Sequence, residues 1–172
     1  MKRLLLILAL CLASACAEEA APAADSGAPD AFVNTGPFTL VVLPDTQYLS
    51  LSLFPIFDFN TRWITEQKKK RNIVAVLHEG DITHNNTDAE WTNAVNSMSR
   101  LDGEVPYVLG VGNHDMTKDG DTAQFNKYFP RSKFSGLSTF GGSYPAGKMD
   151  SSYHLISAGG MGWLLLSLVN DP

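Results

Sequence analysis

Three short apolar runs constrain this chain more than any other feature. Phe38 to Leu43, Ile73 to Leu77 and Val105 to Val111 are each rich in β-branched and large apolar residues, and each stops abruptly at a polar cluster. Runs of that length bounded by turn-forming residues are the pattern of strands buried on both faces. Between the last two, Thr87-Asp88-Ala89-Glu90 has the S/T-x-x-E form of a helix-capping box. Trp91, Ala94, Val95, Met98 and Leu101 follow at helical spacing. Asn60 to Arg71 predicts a helix between the first two, with Trp63 and Ile64 as its core contacts. Strand, helix, strand, helix, strand at this spacing predicts two βαβ units and a largely parallel sheet covered by helices. Further along, a short helix is expected around Thr122 to Tyr128, then a Gly/Ser-rich loop. Two more strand-like runs, Tyr153 to Ser157 and Trp163 to Val169, are joined by residues 158–162.

The polar clusters hold the chemistry. The first run leads to Asp45-Thr46-Gln47, the second to Gly80-Asp81, the third to Gly112-Asn113-His114-Asp115. In open α/β sheets the carboxyl ends of the strands line one crevice, so groups about 30 residues apart in sequence are expected to converge there. Carboxylates, amide oxygens and an imidazole gathered together would repel or stay unpaired unless something positive sat among them, and a pair of divalent metal ions resolves the conflict. Gly80 and Gly112 allow sharp turns and close backbone approach at the strand ends.

Those three motifs, in this order and spacing, resemble the first three motifs of the calcineurin-like metallophosphoesterases. The resemblance covers residues 38 to about 116. It implies a sandwich of two β-sheets flanked by helices and metal-dependent hydrolysis of phosphate esters with two divalent ions (Mn, Fe, Zn or Mg). It further implies that Asp45 and Gln47 bind the first metal, Asp81 bridges both and Asn113 binds the second. His114 would contact the phosphate and assist the leaving oxygen, and Asp115 would orient His114. The first motif usually ends in His where this chain has Gln47. An amide oxygen is the harder ligand, which leans that site towards Mn or Mg. The family's remaining ligands are a lone His and a Gly-His-x-His motif, neither of which occurs before Pro172. Residues 37–172 are therefore read as the N-terminal part of such a domain, and the fragment alone is expected to be inactive.

The other histidines have plainer readings. His154 lies within a strand-like run and is structural, His78 is a strand-end residue, and His84 is either a substrate contact or a loop residue. His78-Glu79 does not extend to H-E-x-x-H, since Ile82 takes the last position. No G-x-S-x-G elbow and no G-x-x-x-x-G-K-[ST] loop is present, which leaves serine-hydrolase and nucleoside-triphosphatase readings without support.

The first fifteen residues differ from the rest: Lys2 and Arg3, an apolar run from Leu4 to Leu12, then Ala13-Ser14-Ala15. This is the pattern of a secretory signal peptide, and the run is too short for a transmembrane helix. Ala13-Ser14-Ala15-Cys16 also resembles a bacterial lipobox, so the expected product is exported to the periplasm, cell envelope or exterior, either freely secreted or tethered through a lipidated Cys16. Residues 16–36, rich in Ala, Pro and acids, read as a flexible tether. Both cysteines, Cys11 and Cys16, lie in or beside the leader, leaving the folded part without a disulfide framework. The leader holds two of the 13 basic residues and none of the 18 acidic ones, so the remainder is more acidic than the whole chain. Such a surface does not favour nucleic acid. The one dense basic run, residues 68–71, falls at a helix end, where it complements the dipole. The reading from another functional class is a surface-tethered binding module with an incomplete, non-catalytic metal site.

Overall fold

The computed structural model describes residues 9–11 and 35–169. Its elements in chain order are strands β1 (Ala9–Cys11) and β2 (Thr39–Leu43), helices α1 (Gln47–Leu51) and α2 (Phe54–Arg71), β3 (Ile73–His78), α3 (Asp88–Met98), β4 (Tyr107–Leu109), α4 (Ala123–Tyr128), α5 (Arg131–Phe134), β5 (Phe140–Tyr144), β6 (Ser151–Ala158) and β7 (Met161–Ser167). Among the described residues the strands form two sheets. One is three-stranded, in the order β2-β3-β4, and the other four-stranded, in the order β1-β7-β6-β5. The architecture is the expected mixed α/β arrangement of two sheets with helices.

The three-stranded sheet is parallel, as the apolar runs predict, with Leu43 opposite His78 and His78 opposite Leu109. That register aligns the carboxyl ends of all three strands. β3 is buried along nearly its whole length. Its Val76 packs towards α2, α3 and the short helices, in a core with Phe57, Ile64, Trp91, Met98, Phe125, Phe129 and Phe134. Ala75 and Leu77 face Ile156 and Leu165 of the second sheet. Period-two alternation thus serves two cores at once.

Helix α3 starts where the capping box places it. The Thr87 hydroxyl accepts from Glu90 N–H at 3.4 Å, and the Glu90 carboxylate accepts from Thr87 N–H at 3.1 Å. Trp91 is fully buried, ringed by Phe125, Tyr128 and Phe129. Helix α2 begins six residues before Asn60, since Pro55 sits in the first turn, where its missing N–H costs no hydrogen bond. The same helix corrects one expected core contact. Ile64 is buried, but Trp63 lies at the surface beneath the Arg71 guanidinium, 5.2 Å from its ring centroid. Lys68 to Arg71 occupy the last turn, ahead of Asn72 in the left-handed conformation that ends the helix.

In the second sheet, β6 and β7 form the expected hairpin, turned by Gly159 and Gly160 at φ +61° and +75°. β5 occupies part of the stretch expected to be a loop. Strand β1, within the stretch expected to be a signal peptide, pairs antiparallel with the outer edge of β7, Ala9 opposite Leu165. The expected cleavage site, Cys16 and the tether up to residue 34 lie outside the described residues.

Candidate active site

Local backbone geometry brings the second and third motifs together. Gly80 takes φ +97° and Asp81 follows at φ +48°, a left-handed conformation costing a non-glycine residue about 1 kcal/mol or more. The surroundings enforce it. Asp81 Oδ1 accepts from His114 N–H at 2.9 Å, and the backbone at Gly112 runs so close that a Cβ there would lie 2.1 Å from the same Oδ1. Gly112 has φ −92°, open to any residue, so it is glycine for the close approach and not for the turn. Gly80 is held just as tightly, since a Cβ there would sit 2.8 Å from Gly112 N.

Buried polar side chains staple the first motif to the second. Gly80 N–H donates to His78 Nδ1 at 3.2 Å, so the ring proton of neutral His78 is on Nε2 and is donated to Thr46 Oγ1 at 2.9 Å. The Thr46 hydroxyl then donates to the Ile82 carbonyl at 3.3 Å, which also accepts from Ser50 Oγ at 2.6 Å. Complete burial depresses the His78 pKa to about 3 and keeps the ring neutral.

Asp115 is also fully buried, and its carboxylate collects four hydrogen bonds. Oδ2 accepts from Ile82 N–H (3.0 Å) and Gly112 N–H (3.1 Å), and Oδ1 from Thr83 N–H (2.9 Å) and Thr83 Oγ1 (3.0 Å). Burial nevertheless wins and pushes its pKa up to about 6. The role expected of Asp115 is not the one these bonds describe. Residues 113–115 form a 3-10 turn, in which neighbouring side chains diverge by about 120°. Asp115 points inwards and ties the third motif to the second. The His114 ring is held by the His84 carbonyl, 2.6 Å from His114 Nδ1.

His84 connects further. Its Nδ1 lies 2.9 Å from Gln47 Oε1, and its ring stacks between Tyr48 (4.8 Å between centroids) and His114 (5.0 Å). Gln47, Asp81, His84 and His114 thus form one connected group built from three strand ends. The sequence alone leaves the role of His84 open and carries no signal that marks Tyr48, Thr46 or Thr83. The remaining expected ligands, Asp45 and Asn113, follow the aligned ends of β2 and β4 with exposed side chains.

The donor types fit hard divalent cations: carboxylates from Asp45 and Asp81, amide oxygens from Gln47 and Asn113. Among the described residues no three His, Cys, Asp or Glu side chains form a metal-holding group.

A family model described as calcineurin-like phosphoesterase matches residues 38–169. Over 132 residues the chain is 41% identical to the uncharacterized protein YvnB of Bacillus subtilis (strain 168), a match covering 75% of this chain and 10% of that protein. The chain therefore spans about a tenth of the length of that relative. No solved structure matches. The matched span runs from the residue before β2 to beyond β7 and contains all three strand-end motifs, so the chain belongs to the calcineurin-like phosphoesterase family.

Proposed function

We propose that this protein is an exported phosphoesterase that hydrolyses phosphate esters with two divalent metal ions held by Asp45, Gln47, Asp81 and Asn113. The observation that carries this reading is Asp81. Its unfavourable backbone conformation is sustained by a glycine on either side of the contact and by the His114 amide, all of which fix one carboxylate at the meeting point of two motifs. Bound divalent ions would supply charge neutralisation at the phosphoryl oxygens and a more acidic water.

The side chains of the protein do the rest. His114 keeps its Nδ1 proton on the His84 carbonyl, which leaves Nε2 as the nitrogen that takes up and gives back a proton at the substrate. In its protonated form Nε2–H donates to a phosphoryl or leaving oxygen, while the carbonyl at Nδ1 stabilises the ring charge. Buried Asp115 and His78 set the spacing of the three strand ends, so the reacting groups need no reorganisation. Export rests on the basic, apolar and small-residue order of residues 1–15, the product being either freely secreted or tethered through a lipidated Cys16.

The test uses the full protein with Mn2+ and a panel of phosphate monoesters and diesters. Asp81→Asn is expected to deplete bound metal. His114→Asn is expected to leave metal bound and to lower kcat by about 10²-fold or more. A metal-loaded protein inert towards every ester would favour the binding-module reading, and equal metal loss in the two variants would show that the roles are misassigned.

A further inference from the structure

We propose that His84 is a positioning residue of the phosphoester site, fixing the Gln47 amide and the His114 ring in a single arrangement; this rests on the phosphoesterase reading above. Gln47 opens α1, His84 lies in the loop after β3 and His114 in the turn after β4, so one residue spans all three strand ends. A glutamine amide has one acceptor, Oε1, and two donors on Nε2. Because Gln47 Oε1 is the atom 2.9 Å from His84 Nδ1, His84 must donate there, and the amide is locked with its oxygen at this position. The oxygen keeps a second lone pair for a cation. Without the donor the amide is free to turn over and present N–H groups, which a cation repels.

The second bond comes from the main chain. The His84 carbonyl fixes the proton of neutral His114 on Nδ1. The two imidazoles stack at 17° between planes, and the exposed Tyr48 ring caps the outer face of His84. The loop cannot drift, because the buried Glu90 carboxylate accepts from the backbone N–H groups of Asn85 (3.0 Å) and Thr87 (3.1 Å). Ligand-orienting hydrogen bonds of this kind are worth about 10- to 100-fold in metal affinity.

Two variants separate this role from packing. His84→Phe keeps the ring stack and loses the donor. His84→Asn loses the ring but carries Nδ2 where histidine carries Nδ1. Titration calorimetry with Mn2+ on the full protein should show about a tenfold or greater loss of affinity for His84→Phe and a return to within about threefold of wild type for His84→Asn. A packing role predicts the opposite order, and that result, or equal affinities in the three proteins, would overturn the proposal. Nitrogen-15 spectra of the metal-free protein give an independent reading, with both neutral rings expected to carry their proton on Nδ1. A proton on Nε2 of His84 would also overturn it. Wild-type protein that shows this tautomer and affinity pattern but hydrolyses no ester would refute the phosphoesterase reading and leave His84 as the positioning residue of a metal site.

Discussion

Lowering the pH from 7 to 5 should destabilise this protein chiefly through two histidines outside the proposed chemistry. Burial depresses His78 to about 3 and His154 to about 4, against about 6.5 in an unfolded chain. The folded pKa values are the lower ones, so both rings are neutral in either state above pH 7. As the pH falls through 6.5 the unfolded state binds protons that the folded state refuses, and stability drops until the folded values are reached. At pH 5 the unfolded ring is almost fully charged and the folded ring almost fully neutral, so each histidine costs about 2 kcal/mol. That cost is set by the unfolded value and hardly depends on whether the folded one is 3 or 4.

Asp115 works in the opposite direction. Its folded pKa, pushed up to about 6 by burial, makes the folded state take up a proton before the unfolded one, which returns about 1.4 kcal/mol at pH 5. Glu90 stays outside this window: burial would raise its pKa, but bonds from the backbone of Thr87 and Asn85 prevail and lower it. The net loss between pH 7 and 5 is about 2 to 3 kcal/mol, large against the usual 5–15 kcal/mol of a folded domain. Urea unfolding in EDTA at the two pH values measures it. His154→Asn keeps a polar atom opposite Thr139 Oγ1, which lies 3.0 Å from His154 Nδ1. It should be less stable than wild type at pH 7, yet lose about 2 kcal/mol less on acidification. An undiminished loss in that variant, or histidine resonances of folded protein showing His78 titrating near 6.5, would refute the reasoning.

Two further outcomes follow from single contacts. Gly112→Ala would place a Cβ 2.1 Å from Asp81 Oδ1 and 2.2 Å from Asp81 N, so it should cost about 1–3 kcal/mol by overpacking and weaken Mn2+ binding with it; unchanged stability and affinity would show that the two strand ends are not in contact. Thr87→Ala removes the hydroxyl that caps α3 and should lower the urea midpoint by the equivalent of about 1 kcal/mol, with the Mn2+ affinity reduced as the His84 loop loosens.

What the sequence made legible depended on how local each cause was. The parallel strands β3 and β4 could be read because burial on both faces leaves a continuous apolar run. β2 carries the same kind of run although only Leu43 is buried and Val42 is exposed, a departure from the expected two-sided burial. α3 could be read because its capping box lies within four residues. β5 could not. Its Gly141 and Gly142 look like loop punctuation, but a Cβ on Gly141 would lie 2.0 Å from the Tyr153 ring on the paired strand. They are strand glycines that make room for an aromatic residue. The surface position of Trp63 is not legible, because a large apolar side chain on a helix does not itself reveal that an arginine two turns later covers it.

The same distinction divides the site. Asp45, Asp81, Asn113 and His114 announce themselves by residue type at strand ends, whereas the forces that position them act across 30 residues or more. His84 meets Gln47 and His114 over separations of 37 and 30, and its bond to His114 uses a main-chain carbonyl that any residue would possess. Asp115 shows the converse. Adjacency in sequence suggests that it serves His114, but in a 3-10 turn adjacent side chains part company, and three of its four hydrogen bonds come from Ile82 and Thr83, next to the second motif, with the fourth from Gly112 of its own motif. Residue type identifies the groups that can meet metal and phosphate. Backbone direction decides which of their neighbours hold them there, so the supporting residues of such a site are found by following hydrogen bonds outward from the ligands.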